Sequence, residues 1–293
     1  MNLKTQLTGT GVAIITPFDK NEEVDFNALD KLIDYIITGG IEYIVTMGTT
    51  GETPVLSKEE KISIIRYTYE KVNSRVPVVV GMGGNDSRGL VKDLESFPLE
   101  GASAILSASP YYNKPSQQGL FEHYRLIAAA SPKPVLLYNV PGRTGRNMKA
   151  STTIRLAREV ENIIGIKEAS GDMAQCMDIL RERPADFLVV SGDDALALPQ
   201  LACGMDGVIS VAANSFPRHF SDMVRLCLRQ DFMAARKIND ELIDAYNLMF
   251  EENNPAGVKA FLYEMGLIEN EVRLPVVPLS GELHQAVKKY LHK

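Results

Sequence analysis

Short apolar runs alternate along the chain with longer segments whose apolar residues recur every three or four positions, and the alternation repeats eight times. The short runs predict strands at Gly11–Thr16, Tyr43–Met47, Pro77–Met82, Ala104–Ser107, Val135–Asn139, Ile163–Lys167, Phe187–Ser191 and Val208–Val211. They read as continuous rather than alternating apolar stretches, which is the pattern of strands covered on both faces. The longer segments predict helices at Asp25–Thr38, Ser57–Val72, Ser87–Phe97, Ser116–Ala130, Ser151–Val160, Met173–Glu182, Ala195–Cys203 and Phe216–Arg229. In the first of these, Leu29, Leu32, Ile33, Ile36 and Ile37 form one stripe, and Gly39-Gly40 ends it. Ser57 and Glu60 make a capping-box pattern at the head of the second. Eight βα units in about 230 residues predict an α/β fold of the (β/α)8 TIM-barrel class. A doubly wound sheet is the alternative and usually needs fewer units. After Arg229 only helical periods remain, at Phe232–Phe250, Pro255–Met265 and Ser280–Leu291. The expected division is therefore a barrel over 1–230 and a C-terminal helical appendix over 231–293, with no low-complexity linker between them.

Composition narrows the classes. The formal net charge is −6, and no basic stripe is hinted at, so a nucleic-acid partner is not expected. No apolar run approaches the ~18 residues of a membrane span, and the opening MNLKTQLTGTGVAIITPF lacks the apolar core of a signal peptide. Three widely spaced cysteines, Cys176, Cys203 and Cys227, form no CxxC pair, and an odd count argues against a disulfide framework. A reducing cytoplasm is the simplest expectation. The four histidines show no HxH or HExxH spacing, so no metal site is expected. His123 and His219 are expected on helix surfaces.

In a barrel the chemistry gathers at the C-terminal ends of the strands. Lys167 closes the apolar run Ile163-Ile164-Gly165-Ile166. Lysine is almost never buried unless paired or used. If it points inward, alternation turns Gly165 inward too, leaving room beside the amine. An apolar wall disfavours the ammonium form, and a neutral amine attacks a ketone. The plainer alternative is an exposed strand-end lysine paired to Glu168. Tyr138 ends the neighbouring strand, and Thr49, Thr50 and Tyr112 lie on nearby loops, so hydroxyls that could relay protons are at hand. Tyr138 could equally be a core tyrosine, and Gly48-Thr-Thr-Gly51 a plain turn, although its donors suit a carboxylate. Arg143 sits in a Pro-Gly-Arg-Thr-Gly loop. There it is either a surface arginine or a two-pronged carboxylate ligand. The loops carry no metal-ligand constellation, and neither a GxxxxGK[ST] nor a GxGxxG motif is present, so an amine is the favoured electron sink.

The stretches GTTGE (48–52), SPYYNKPSQQG (109–119), YNVPGRTG (138–145), GIKEASGD (165–172) and GVISVAAN (207–214) together resemble the dihydrodipicolinate synthase and N-acetylneuraminate lyase family of class I aldolases. The Arg143 loop resembles the synthase branch; the sialic-acid lyases lack that arginine motif. The resemblance implies a lyase of the diaminopimelate route to lysine, condensing pyruvate with L-aspartate-4-semialdehyde without a separate cofactor. Lys167 would hold pyruvate as an imine. Tyr138, Thr49 and Tyr112 would relay protons. Thr50 and the backbone of Ile209 would hold the pyruvate unit, and Arg143 the carboxylate of the semialdehyde. Tyr111 and Tyr112 would lie at a tight dimer interface, Tyr112 reaching into the neighbouring site, within a homotetramer built as a pair of dimers. The alternative within this chemistry is a pyruvate-dependent sugar-acid aldolase, of the N-acetylneuraminate or 2-keto-3-deoxy-gluconate type. A barrel that only senses a keto acid is a further alternative. One departure stands out. Lysine-inhibited members carry histidines after the GTTGE loop and an acidic residue after the Asn85 loop, where this chain has Lys58, Lys61 and Gly89, while Asn85 and Tyr111 are kept. Weak or absent feedback by lysine is expected.

Overall fold

The computed structural model describes residues 3–292. Its eight strands are β1 (Gly9–Ala13), β2 (Tyr43–Thr46), β3 (Val78–Gly81), β4 (Ala104–Ala108), β5 (Val135–Asn139), β6 (Ile163–Glu168), β7 (Leu188–Ser191) and β8 (Gly207–Ser210). All pair in parallel, in chain order, and β8 returns to β1, closing a (β/α)8 TIM barrel. Around it run α1 (Leu3–Gln6), α2 (Phe26–Thr38), α3 (Lys58–Val72), α4 (Ser87–Ser96), α5 (Gln117–Ala130), α6 (Pro141–Thr144), α7 (Ala150–Glu159), α8 (Met173–Glu182), α9 (Ala197–Ala202) and α10 (Pro217–Leu228). Then come α11 (Phe232–Phe250), α12 (Ala256–Glu264) and α13 (Gly281–Leu291).

Alternation along each strand sorts side chains into two cores. Val12, Ile44, Val80, Ile105, Leu137, Ile166, Val189 and Val208 point outward and pack under the helices. Ala13, Tyr43, Val45, Val79, Leu106, Leu136, Tyr138, Leu188, Val190 and Ile209 point inward and fill the barrel, with Leu7 joining them from the segment before β1. Both faces are apolar, which is why the strands read as unbroken runs. A Cβ on Gly11 would lie 2.2 Å from the Tyr43 ring, so glycine there is what admits the tyrosine to the interior. Leu242, Tyr246, Met249, Val258, Phe261 and Val287 from the last three helices belong to the same outer core as the barrel helices.

The first strand begins two residues earlier than predicted and ends at Ala13. Thr8-Gly9-Thr10-Gly11 has a turn-like composition, yet Gly9 (φ 105) and Thr10 pair with β8. Downstream, Ile14 still donates to the Val45 carbonyl, but Thr16 turns its hydroxyl onto the Gly51 carbonyl and leaves the ladder. The single-turn helices α1 and α6 are too short to show a period. The capping box at Ser57–Glu60 forms in both directions, at 3.1 Å and 2.8 Å.

His219 is exposed, but the expectation of a surface His123 is overturned: it is 5% exposed, with Nδ1 2.8 Å from Ser87 Oγ. Burial pushes its imidazole down to about 4 from an ordinary 6.5. The unfolded chain therefore takes up this proton first, and stability falls as pH drops from 6.5 toward 4, by about 3 kcal/mol in all. Urea titrations at pH 7 and pH 4.5 check this: the loss of stability between them should be about 2 to 3 kcal/mol smaller in His123→Gln than in the parent.

Candidate active site

Lys167 stands at the C-terminal end of β6, paired with Tyr138 on β5 and Val190 on β7. A bulge determines which way it faces. Val135 pairs with Ile163 but Leu136 with Gly165, so Ile164 is an extra residue in β6. Ile163 packs outward, Ile164 and Gly165 both face the inner core, Ile166 faces out, and Lys167 faces in. Without the inserted residue the alternation would turn Lys167 out into the helical layer.

The lysine is 5% exposed. Its Nζ lies over the Tyr138 ring, 4.4 Å from the centroid, and makes no ion pair with a described residue. The pairing with Glu168 is not made, because the two side chains leave opposite faces of the strand. Gly165 does turn inward, but a Cβ there would meet Leu188 and Leu136, so its space is filled by neighbours. The room for the amine comes from Gly192 instead, where a Cβ would sit 2.7 Å from Lys167 Cε.

Glu168 is fully buried behind this pair. It accepts from Asn139 Nδ2 at 3.1 Å, Ser170 N at 2.8 Å and Gln175 Nε2 at 3.2 Å. Burial raises its carboxyl, and these hydrogen bonds oppose the rise. Asn139 and Glu168 directly follow Tyr138 and Lys167 on paired strands, so their bond fixes the register of the phenol against the amine. Tyr138 itself is 8% exposed, and its carbonyl accepts from Ser109 N at 3.1 Å.

Around the mouth, the turn after β2 is a single 3-10 turn, Thr49–Gly51, closed by Glu52 in the left-handed region at φ 55. Thr50 is buried and its hydroxyl accepts from Asn254 Nδ2 at 3.1 Å; Thr49 is half-buried. Ile209 lies on β8 beside Gly11 and is 1% exposed. Asp194 anchors the segment after it, accepting from Val211 N at 3.0 Å and Ala212 N at 2.8 Å. Burial pushes the Asp194 carboxyl up to about 6. Pro141 starts α6 and Gly145, at φ 73, ends it, giving one rigid turn on which Arg143 is exposed.

Tyr111 and Tyr112 stand apart, 48% and 88% exposed, with Tyr112 at φ 70. Thus Lys167, Tyr138 and Ile209 converge inside the barrel, Thr49, Thr50 and Arg143 lie on loops at its rim, and the Tyr111–Tyr112 pair projects away from this chain's own core. The roles of Asp194 and of Glu52, whose carboxylate meets Lys259 Nζ and Arg273 N, carry no local sequence signal. Their only clue is a polar residue in an otherwise apolar neighbourhood. The arrangement presents a buried primary amine against a phenol, suited to carbonyl capture with proton transfer.

The family profile described as "Dihydrodipicolinate synthetase family" matches residues 6–293. The 4-hydroxy-tetrahydrodipicolinate synthase of Parabacteroides distasonis is 50% identical over 98% of this chain and 97% of its own length. Its counterpart in Phocaeicola vulgatus is 51% identical over 94% of this chain and 93% of its own. The crystal structure of dihydrodipicolinate synthase from Aquifex aeolicus superposes with a TM-score of 0.94 at 38% identity, covering 98% of this chain and 97% of that one.

Proposed function

The chain belongs to the dihydrodipicolinate synthetase family, and we propose from that membership that it is a lyase of the 4-hydroxy-tetrahydrodipicolinate synthase type, condensing pyruvate with L-aspartate-4-semialdehyde through an imine on Lys167. The observation that carries the reading is a lysine turned into the barrel, without an anionic partner among the described residues, against the face of Tyr138. Its free amine adds to C2 of pyruvate. Tyr138, in a relay with Thr49 and Tyr112, protonates the carbinolamine oxygen, which leaves as water. The relay takes up a C3 proton to give the enamine, whose carbon attacks the aldehyde as the relay returns a proton to the new alkoxide oxygen. The semialdehyde's own amine then adds to the imine carbon, closing the ring and returning Lys167. No separate cofactor enters. Thr50 and the Ile209 backbone hold the pyruvate unit. The test is borohydride reduction with pyruvate, followed by intact-mass and peptide analysis. A pyruvyl adduct on Lys167 is expected; no adduct, or one elsewhere, removes the reading.

Arg143 binds the carboxylate of the second substrate, supported by its exposed position on a rigid turn at the rim. Removing a charge-assisted pair costs about 1.5–3 kcal/mol, so Arg143→Ala should raise KM for the semialdehyde roughly tenfold to a hundredfold with little change for pyruvate. An unchanged aldehyde preference in steady-state kinetics would instead favour the sugar-acid aldolase. Lys58 and Lys61 lie one turn apart on α3, and Lys58 Nζ bonds Ser96 Oγ at 3.0 Å. Two cations in place of histidines, with Gly89 in place of a carboxylate, should repel a cationic effector. Initial-rate assays with added L-lysine should therefore show weak or no inhibition, and an inhibition constant in the low-millimolar range or tighter would contradict it.

The protruding Tyr111 and Tyr112 support a tight dimer in which Tyr112 completes the partner's relay, within a homotetramer. We infer a cytoplasmic location, supported by free cysteines of which Cys176 and Cys227 are buried. No helix among the described residues is long and apolar enough to cross a membrane. We also keep residues 1–230 as the catalytic barrel and 231–293 as a helical appendix to it.

A further inference from the structure

The turn carrying Thr49 and Thr50 is fastened to the C-terminal helices as well as to its own neighbours Thr16 and Thr53. Glu52 Oε1 lies 2.5 Å from Lys259 Nζ on α12, and the two side chains are 2% and 0% exposed. The lysine also donates to the Glu271 carbonyl at 2.8 Å and sits over the Phe18 ring, 4.1 Å from its centroid. The other Glu52 oxygen accepts from Arg273 N at 3.1 Å. The Arg273 guanidinium covers Phe18 at 4.4 Å and grips Glu60 at the head of α3 at 2.6 Å. Asn254, just before α12, supplies the bond to the Thr50 hydroxyl.

A charge pair withdrawn this far from water contributes little net stability compared with apolar side chains of the same volume. What it does supply is direction. Glu52 must hold a left-handed backbone to close the turn, which costs a non-glycine residue about 1 kcal/mol or more. The Lys259 and Arg273 contacts over-determine that conformation. A loose turn would leave Thr49 and Thr50 free to move at the rim of the lysine pocket.

We propose that Glu52 and Lys259 are positioning residues for the keto-acid site: the C-terminal helices, through this buried pair, hold the Thr49–Thr50 turn in the geometry that receives the pyruvate carboxylate. The inference rests on the imine reading of Lys167 and goes beyond it. Neither residue touches the reacting atoms.

The split between the two substrates tests it. In the full-length double variant Glu52→Gln/Lys259→Met, both charges are removed together, so no lone charge is left buried. KM for pyruvate, and the pyruvate concentration giving half-maximal borohydride trapping on Lys167, should each rise about tenfold or more, the scale of a misplaced binding group, while KM for the semialdehyde stays within about twofold. Glu52→Gln alone keeps the shape of the side chain and its hydrogen bond from Arg273 N, and should show the same split in smaller measure. Folded variants with parental pyruvate dependence overturn the proposal, as does an equal change for both substrates or a loss of melting temperature without a pyruvate effect. If the double variant does not fold, Glu52→Gln decides by the same criterion. A parent enzyme that traps no pyruvate on Lys167 overturns the imine reading and this inference with it, an outcome distinct from a parent that traps normally and variants that do the same.

Discussion

Lys167→Ala should lower kcat/KM by about 10⁴-fold or more, the order seen when a covalent nucleophile is removed, while leaving the fold in place. The loss of a buried amine at the mouth of the barrel removes no ion pair, because the lysine has none among the described residues. The expected variant is therefore an inactive protein that melts within a few degrees of the parent. Steady-state assays with pyruvate and L-aspartate-4-semialdehyde, with a thermal melt beside them, check both halves. Full activity in this variant would leave no place for the amine in the reaction. Lys167→Arg is expected to fail almost as completely, since a guanidinium retains charge and is no nucleophile.

Tyr138→Phe should lower kcat by about 10²- to 10⁴-fold, the range of a lost general acid–base group. The ring still packs in the inner core and still faces the lysine, so only the hydroxyl is lost. The effect should fall on imine formation and on later proton transfers rather than on pyruvate affinity. Single-turnover measurement of the adduct in the presence of borohydride should therefore show slow formation with a nearly unchanged pyruvate dependence. A phenylalanine variant with the parental kcat would leave Tyr138 as packing alone.

Much of this was legible in the sequence because parallel strands under helices must be apolar on both faces. β5, α8 and α11 begin and end where the pattern predicts. α9 is shorter than the Ala195–Cys203 expected, because Asp193 captures the amides of Ala195 and Leu196 in its own turn before the helix starts. The amine, the phenol and the arginine loop were legible because each stands at or just after the C-terminal end of a strand. Less accessible was the inward aim of Lys167, which depends on the extra residue at Ile164, and a bulge leaves no mark in an unbroken apolar run. Long-range polar contacts were hidden for a different reason. Glu52 with Lys259 and Asn254 with Thr50 join residues that only docking of the last helices brings together, and Asp194 meets Val211 only once β7 and β8 pair.

The packed interior has a consequence for traffic. Leu7, Tyr43, Val45 and Leu136 pack the barrel interior, leaving it a core rather than a channel beneath the amine. A filled interior directs approach to Lys167 to the strand-end face on which it stands. In the proposed reaction pyruvate must go in first, since the enamine it forms is what attacks the aldehyde, and the product must depart before another cycle begins. Order of arrival then follows from the chemistry proposed at Lys167.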